Sequence, residues 1–162
     1  MKKILPTLIA TTAVLLAGSA SAQAASFTEV HFEPGSTIKI HDDETFGSDV
    51  EKTWDLSGSV GKFKNSVTTP QTLLVSRCAG DEVRVEIRIT RQLINGVPAL
   101  RTRADLYEGD SCSTPDLDGS VVFDFGTIHA PFKFTKQYHV TNAQEGGDWA
   151  VANLNYSLKT GF

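Results

Sequence analysis

Apolar and polar residues alternate with a period of two along much of the chain beyond residue 25. The clearest example is the segment 82–93, where Val83, Val85, Ile87 and Ile89 alternate with charged or polar residues. Successive side chains of a β-strand point to opposite faces of a sheet, so this alternation predicts a strand with one buried face. The same region carries no convincing 3.6-residue period, and we therefore predict no helix there.

Nine segments are strand candidates, and turn-forming residues separate them. They are 27–32, 37–41, 53–56, 72–77, 82–93, 97–108, 120–125, 132–140 and 150–158. Many short strands with frequent turns are typical of all-β proteins, so we predict one antiparallel β-sandwich domain over residues 25–162. We expect about eight or nine strands in Greek-key or meander order. An open or closed β-barrel is the alternative architecture.

The dipeptide Asn95-Gly96 predicts a hairpin and raises a question of register. Both positions of the favoured two-residue turn need a positive φ, which these residues tolerate. That turn would place Arg88 directly opposite Arg103, and like charges in opposite positions are unfavourable. A slide of two residues would pair Arg103 with Glu86 and keep the same apolar face. We therefore predict the shifted register.

The first 24 residues have the composition of a secretory signal peptide. Lys2 and Lys3 precede an uncharged, mostly apolar run over residues 4–17, and small residues permit cleavage after Ala22 or Ala24. This run is shorter than the roughly 20 apolar residues of a membrane-spanning helix, so it predicts an export signal. No later apolar run is long enough to span a bilayer. We expect a secreted or periplasmic protein whose mature chain has no transmembrane segment.

Charge narrows the choice of partners. The whole chain carries a net charge of −4. Removal of Lys2 and Lys3 with the signal peptide leaves 13 basic and 19 acidic side chains, a net charge of −6. An acidic protein without a strong basic patch binds nucleic acid poorly. We therefore expect the partner to be an extracellular protein or a glycan.

Cys78 and Cys112 are the two cysteines of the chain. An even number of cysteines in an exported protein favours a disulfide, and the absence of CxxC spacing disfavours a metal site. The bridge would close a loop of about 35 residues and stabilise the fold by roughly 4 kcal/mol in the chain-entropy model. We predict a structural Cys78–Cys112 bridge.

An acidic segment follows the second predicted strand. Four of its carboxylates are candidate metal ligands: Asp42, Asp43, Glu44 and Asp49. Ca²⁺ takes six to eight oxygen ligands, and clustered carboxylates in a loop supply them. A weak calcium site is therefore one interpretation, and Ca²⁺ is the one cofactor that the sequence suggests. A solvated acidic surface loop is the other interpretation.

A second acidic segment surrounds Cys112. Its carboxylates are Glu108, Asp110, Asp116 and Asp118, interspersed with serine, threonine, proline and glycine. A loop anchored by a disulfide loses less entropy on binding, so this loop is a candidate binding surface. The alternative is a long connection that the disulfide stabilises.

No catalytic motif is present in the sequence. The chain lacks HExxH, GxSxG and phosphate-loop patterns, and no histidine pair has metal-ligand spacing; the four histidines are His31, His41, His129 and His139. We therefore assign no catalytic residue and favour a non-catalytic protein.

Three functional hypotheses remain open. The first is an exported binding or structural module that binds calcium weakly. The second is an inhibitor of an extracellular enzyme that uses the anchored loop 108–118. The third is a polysaccharide-binding or polysaccharide-hydrolysing protein, which an exposed Trp54 or Trp149 on a concave face would favour.

Overall fold

The computed structural model describes residues 27–44, 47–128, 130–144 and 146–161, so the predicted signal peptide and His129 lie outside the described residues. Ten strands form within these ranges. They are β1 (Phe27–Phe32), β2 (Thr37–Asp42), β3 (Val50–Asp55), β4 (Gly58–Lys64), β5 (Gln71–Ala79), β6 (Val83–Ile94), β7 (Val97–Tyr107), β8 (Leu117–Thr127), β9 (Phe132–Thr141) and β10 (Trp149–Gly161).

The strands form two antiparallel sheets, which we name sheet A and sheet B. Sheet A has six strands, with the long β10 paired to β9 along one edge and to both β1 and β2 along the other. Strand β4 then pairs with β1, and β3 pairs with β2. Sheet B is the meander β5-β6-β7-β8. The predicted antiparallel sandwich is confirmed, and the described strands form two sheets rather than a closed barrel.

Alternating side chains from both sheets fill the core between them. Ile40 of β2, Ile87 of β6 and Leu154 of β10 are all 0% exposed. Full burial of such a side chain contributes roughly 1.5–3 kcal/mol. Among the aromatic core residues, the Tyr156 hydroxyl lies 3.3 Å from Thr102 Oγ1 and 3.4 Å from the Tyr138 hydroxyl. The period-two pattern of the sequence therefore marks the residues that pack between the sheets.

The sequence pattern does not predict strand β4. It places β1 and the hairpin strands β6 and β7 to within one residue, and it underestimates the length of β2, β3, β5, β8, β9 and β10. Gly58 and Gly61 have no side chains, so they interrupt the apolar and polar alternation that marks a strand. Both adopt positive φ, at 133° and 154°. Gly61 also lies close to the neighbouring sheet, since a Cβ there would approach Leu73 Cδ2 to 2.7 Å. The segment forms a strand because its backbone pairs with β1, although its own sequence carries no strand pattern. The register of this pairing shifts between Val30 and His31.

The predicted hairpin register is wrong. Arg88 lies directly opposite Arg103, as a two-residue turn requires, and Asn95 and Gly96 adopt φ values of 53° and 77°. Asp105 relieves the repulsion, because Arg88 donates a hydrogen bond to it diagonally across the strand pair and Arg103 donates to it from two residues earlier on the same strand. Diagonal neighbours are within reach of long side chains, so directly opposite pairs do not decide the register.

Candidate metal centre

Asp42 is the last residue of β2 and points into the sandwich. It continues the inward positions of Ile38 and Ile40, which are 0% exposed, and it is itself only 3% exposed. Its Oδ2 atom is buried and has no hydrogen-bond partner among the described residues. A buried carboxylate oxygen without a partner destabilises the folded state, so a bound proton or cation at this atom would be stabilising.

The turn between β5 and β6 closes over Asp42 from sheet B. Gly80 and Asp81 have φ values of 60° and 72°, and the Glu82 amide donates to the Ala79 carbonyl at 3.3 Å. A Cβ at position 80 would lie 1.5 Å from Asp42 Oδ2. Only glycine therefore allows the turn to pack so closely on the carboxylate.

Asp42, Glu44 and Glu82 form a group of three carboxylates at this end of the sandwich. One oxygen from each side chain lies within 4.8 Å of the others. Oxygens that share one Ca²⁺ lie about 2.3–2.6 Å from the ion, and hence up to about 5 Å from each other. Asp42 and Glu44 belong to β2 and the loop after it, whereas Glu82 belongs to sheet B. An ion held here would join the two sheets.

The electrostatic environment of Asp42 is unfavourable for its negative charge. Burial, followed by the negative charges of Glu44, Asp148 and Glu82, raises the pKa of Asp42 to about 6. A carboxylate with a raised pKa and acidic neighbours gains stability when a cation replaces the proton. The site therefore favours either a proton or a metal ion.

The structure divides the four predicted metal ligands between two groups. Asp42 and Glu44 belong to the buried group, whereas Asp43 and Asp49 lie with His41 in a second group whose ligand atoms are also within 4.8 Å of one another. Asp43 and Asp49 are exposed. Strand alternation explains the division, because Asp42 follows the inward face of β2 and His41 follows the outward face.

A third acidic group lies beside the first and involves the predicted binding loop. Asp148 is 3% exposed, and its Oδ1 accepts a hydrogen bond from the Asp43 amide at 2.8 Å. A hydrogen bond with Asp148 and burial raise the pKa of Glu108 to about 8. Asn142 donates its side-chain amide to Glu108, and the Glu108 amide donates to Asp118 Oδ2 at 2.8 Å. Glu108 and Asp118 are therefore structural residues of the loop base.

The predicted disulfide is present and anchors the same loop. Cys78 and Cys112 are joined, with their Cα atoms 5.9 Å apart. Arg84 adds a second anchor, because its guanidinium donates to the Cys112 carbonyl and, at 2.9 Å, to the Thr114 carbonyl. The other two predicted loop residues, Asp110 and Asp116, are exposed. Asp116 borders a small cavity of about 90 Å³ together with Glu108, Gly109 and Asp118.

Two residues of this region, Glu82 and Asp148, are not predicted by the sequence. Both stand next to turns, where an acidic residue is ordinary. The sequence does indicate that Asp42 points inward, because it continues the alternation of Ile38 and Ile40. Such a residue needs a partner, but the sequence does not say which segment supplies it.

No helix among the described residues combines the length and apolar character needed to cross a bilayer. Comparison of the chain with protein-family models, with curated proteins and with solved structures finds no match.

Proposed function

We propose that this chain is an exported, non-catalytic β-sandwich binding module in which a Ca²⁺ ion ties the two sheets together. Asp42, Glu44 and Glu82 supply the protein ligands. The observation that carries the proposal is the Asp42 carboxylate, which is 3% exposed and has an unpartnered oxygen beside two further carboxylates. The disulfide is compatible with an oxidising environment outside the cytoplasm.

The donor set favours calcium over other common metal ions. All three side chains offer carboxylate oxygens, which are hard ligands, whereas zinc prefers nitrogen and sulfur. Mg²⁺ requires near-ideal octahedral geometry at about 2.0–2.1 Å, and Ca²⁺ accepts longer and less regular coordination. Three carboxylates from two segments, completed by water, suit the more tolerant ion.

The proposed ion has a structural role. It neutralises the charges that raise the pKa of Asp42, and it fixes the loop after β2 against the β5–β6 turn. A ligand that binds only the folded state stabilises it by RT ln(1 + [L]/Kd), which is about 2.7 kcal/mol at a concentration of 100 Kd. Calcium should therefore raise the melting temperature by several degrees at millimolar concentration.

The test uses thermal melting and calorimetric titration of the mature protein with CaCl₂, with EDTA as the reference. Asp42→Asn and Glu82→Gln should each abolish the calcium-dependent rise. Asp42→Asn should also stabilise the calcium-free protein above pH 7, because it removes a buried charge without changing the shape of the side chain. Asp110→Asn changes an exposed acid of the other loop and is the matched control, which should respond to calcium like the parent protein.

Equal melting temperatures in millimolar calcium and in EDTA would refute the proposed site. Retention of the calcium response by both Asp42→Asn and Glu82→Gln would also refute it, because the ion would then bind elsewhere. A stronger response to Zn²⁺ than to Ca²⁺ would point to the His41, Asp43 and Asp49 group.

Export has a separate test. Expression of the complete chain in a bacterial host, followed by intact-mass measurement of the exported fraction, should give an N-terminus at Gln23 or Ala25. The mass should be two hydrogens lower than that of the reduced chain, because the disulfide forms on export. A product that retains Met1 and stays in the cytoplasm would contradict this part of the proposal.

A further inference from the structure

The outer face of sheet A has an uncharged stretch on its two longest adjacent strands. Eight successive outward positions carry no carboxylate, lysine or arginine: Thr135, Gln137, His139 and Thr141 on β9, and Trp149, Val151, Asn153 and Asn155 on β10. Charged residues make up 21% of the chain, so this stretch departs from the rest of the surface. One cation reaches this stretch from β2, because Lys39 Nζ lies 5.3 Å from the centroid of the Trp149 ring. Glu51 pairs with that ammonium group at 2.8 Å, so the face still suits a ligand that is polar but neutral.

Trp149 forms one wall of a shallow groove on this face. The groove has a volume of about 360 Å³ and is lined by His139, Thr141, Trp149 and Val151. The His41 imidazole stacks on the indole from the β2 side, with centroids 5.2 Å apart and planes 16° apart. His139 meets the indole nearly edge-on at 6.2 Å. The indole is therefore held in place beside a groove that lies between β9 and β10.

Hydrogen-bonding side chains continue along the same two strands beyond the groove. Gln137 Nε2 donates to Asn153 Oδ1 at 2.7 Å, and Thr135 Oγ1 donates to Asn155 Oδ1 at 2.8 Å. Each of these amides has more donors and acceptors than its bond uses, so further groups can bind a ligand. The two pairs follow one another every second residue, a repeat of roughly 7 Å along the strands.

We propose that this surface binds a neutral oligosaccharide. A sugar ring stacks its C–H face on Trp149, and its hydroxyl groups bond with His139 and with the amides of Gln137 and Asn153. The aromatic wall supplies apolar contact, and the amides supply the donors and acceptors that hydroxyl groups need. A protein partner fits less well, because a stable protein interface buries about 800 Å² on each side, with a well-packed apolar centre.

The test is titration of the mature protein with neutral hexasaccharides of glucose, xylose, mannose and N-acetylglucosamine, followed by calorimetry and tryptophan fluorescence. We expect at least one to bind in both calcium and EDTA, because the surface does not use the proposed metal site. Trp149→Ala should weaken binding at least about tenfold. Trp54→Phe is the matched control, because Trp54 lies on the inner side of β3, and it should keep both the affinity and the fluorescence change.

Three results would overturn this inference. The first is that none of the hexasaccharides binds the parent protein at millimolar concentration. The second is that a folded Trp149→Ala variant, verified by its melting transition, binds with unchanged affinity. The third is that Trp149→Ala converts a dimer into a monomer in sedimentation, because the occupant of the groove would then be a second copy of the chain. Gln137→Ala, which leaves the indole intact, should weaken binding about threefold without changing the oligomeric state.

Discussion

Asp42 and Glu82 belong to different sheets of the sandwich, yet a carboxylate oxygen of each lies within 4.8 Å of the other. No described lysine or arginine forms an ion pair with either residue. The two acids come together because the β5–β6 turn, with glycine at position 80, packs directly on the end of β2. This contact between the sheets is therefore where a cation would have most effect on stability.

Gly80→Ala should destabilise the protein and abolish the calcium response. Alanine is strained at a φ of 60°, and its Cβ would collide with Asp42 Oδ2. The control is Gly96→Ala, where φ is 77° but no atom lies within 4 Å of the added Cβ. That control should lose only about 1 kcal/mol of unfolding free energy and keep its calcium response. Urea unfolding with and without calcium measures both quantities, and equal losses in the two variants would contradict the tight contact at Gly80.

Ionisation of Asp42 should lower the stability of the calcium-free protein as the pH rises from about 4 to 6. The pKa of Asp42 is about 6 in the folded protein and near 3.8 when unfolded, so the folded state binds its proton more tightly. The proton-linked stability is fully present below pH 4 and is lost by about pH 6, on the order of 2–3 kcal/mol. Calcium should reverse this trend, because its ligands must be deprotonated. Urea unfolding at several pH values checks this, and a calcium effect that grows below pH 5 would contradict it.

The parent protein should lose further stability as the pH rises toward about 8, and Glu108→Gln should remove that loss. The pKa of Glu108 is about 8 in the folded protein, against an ordinary value of 4.5, because it shares a hydrogen bond with Asp148. Its contribution is present below pH 4.5 and lost by about pH 8. Glutamine keeps a donor toward Asp148 and does not titrate, so the variant should show a flat stability between pH 6.5 and 8.5. A parent-like decline in the variant would place the titrating group elsewhere.

Asp105→Ala should cost more stability than Asp124→Ala, although both acids face arginines on the outer side of sheet B. The Asp105 side chain is 0% exposed and accepts bonds from Arg88 and Arg103, whereas the Asp124 side chain is 50% exposed and pairs with Arg101. We expect roughly 2–3 kcal/mol for Asp105→Ala and less than about 1 kcal/mol for Asp124→Ala. Chemical denaturation measures the difference. Equal values would mean that the pairs of Arg88 and Arg103 with the buried Asp105 contribute no more than the exposed pair of Arg101 with Asp124.

Replacement of both Cys78 and Cys112 by serine should lower the free energy of unfolding by roughly 4 kcal/mol, because the bridge closes a loop of about 35 residues. The loop 108–118 should remain partly ordered, since Arg84 still donates to the Cys112 and Thr114 carbonyls, which are backbone atoms. Amide hydrogen exchange of the loop, with and without the further change Arg84→Met, separates the two anchors. Unchanged exchange in the triple variant would show that neither anchor orders the loop.

The strands show how much of the fold can be predicted from sequence. The segment 27–32 coincides with β1, and the predicted hairpin strands lie within one residue of β6 and β7. Strand β4 was not predicted, because its glycines carry no period-two signal and its order comes from pairing with β1. Charges in opposite positions alone predict the wrong hairpin register, because Asp105 compensates both Arg88 and Arg103 from positions that are not opposite to them.

The candidate metal site is likewise only partly predictable from the sequence. Local sequence places Asp42 and Glu44 in an acidic segment after a strand, and the alternation of β2 makes Asp42 point inward. Local sequence cannot select Glu82 or Asp148, which are about 40 and 100 residues away. The packing of sheet B on sheet A brings Glu82 close, and the pairing of β10 with β2 brings Asp148 close. The disulfide was predictable because two cysteines allow only one pairing.

The sequence by itself determined that the chain is built of strands, which face of the clearly alternating strands is buried, and which two sulfur atoms are joined. These properties depend on near neighbours in the chain, or on a choice among very few partners. The tertiary structure decided which carboxylates meet, how the arginines of sheet B are neutralised, and that Trp149 rather than Trp54 lies on an outer face. The meeting of Asp42 and Glu82 depends on how one sheet is positioned on the other, and the other two properties depend on which strands pair and in which register.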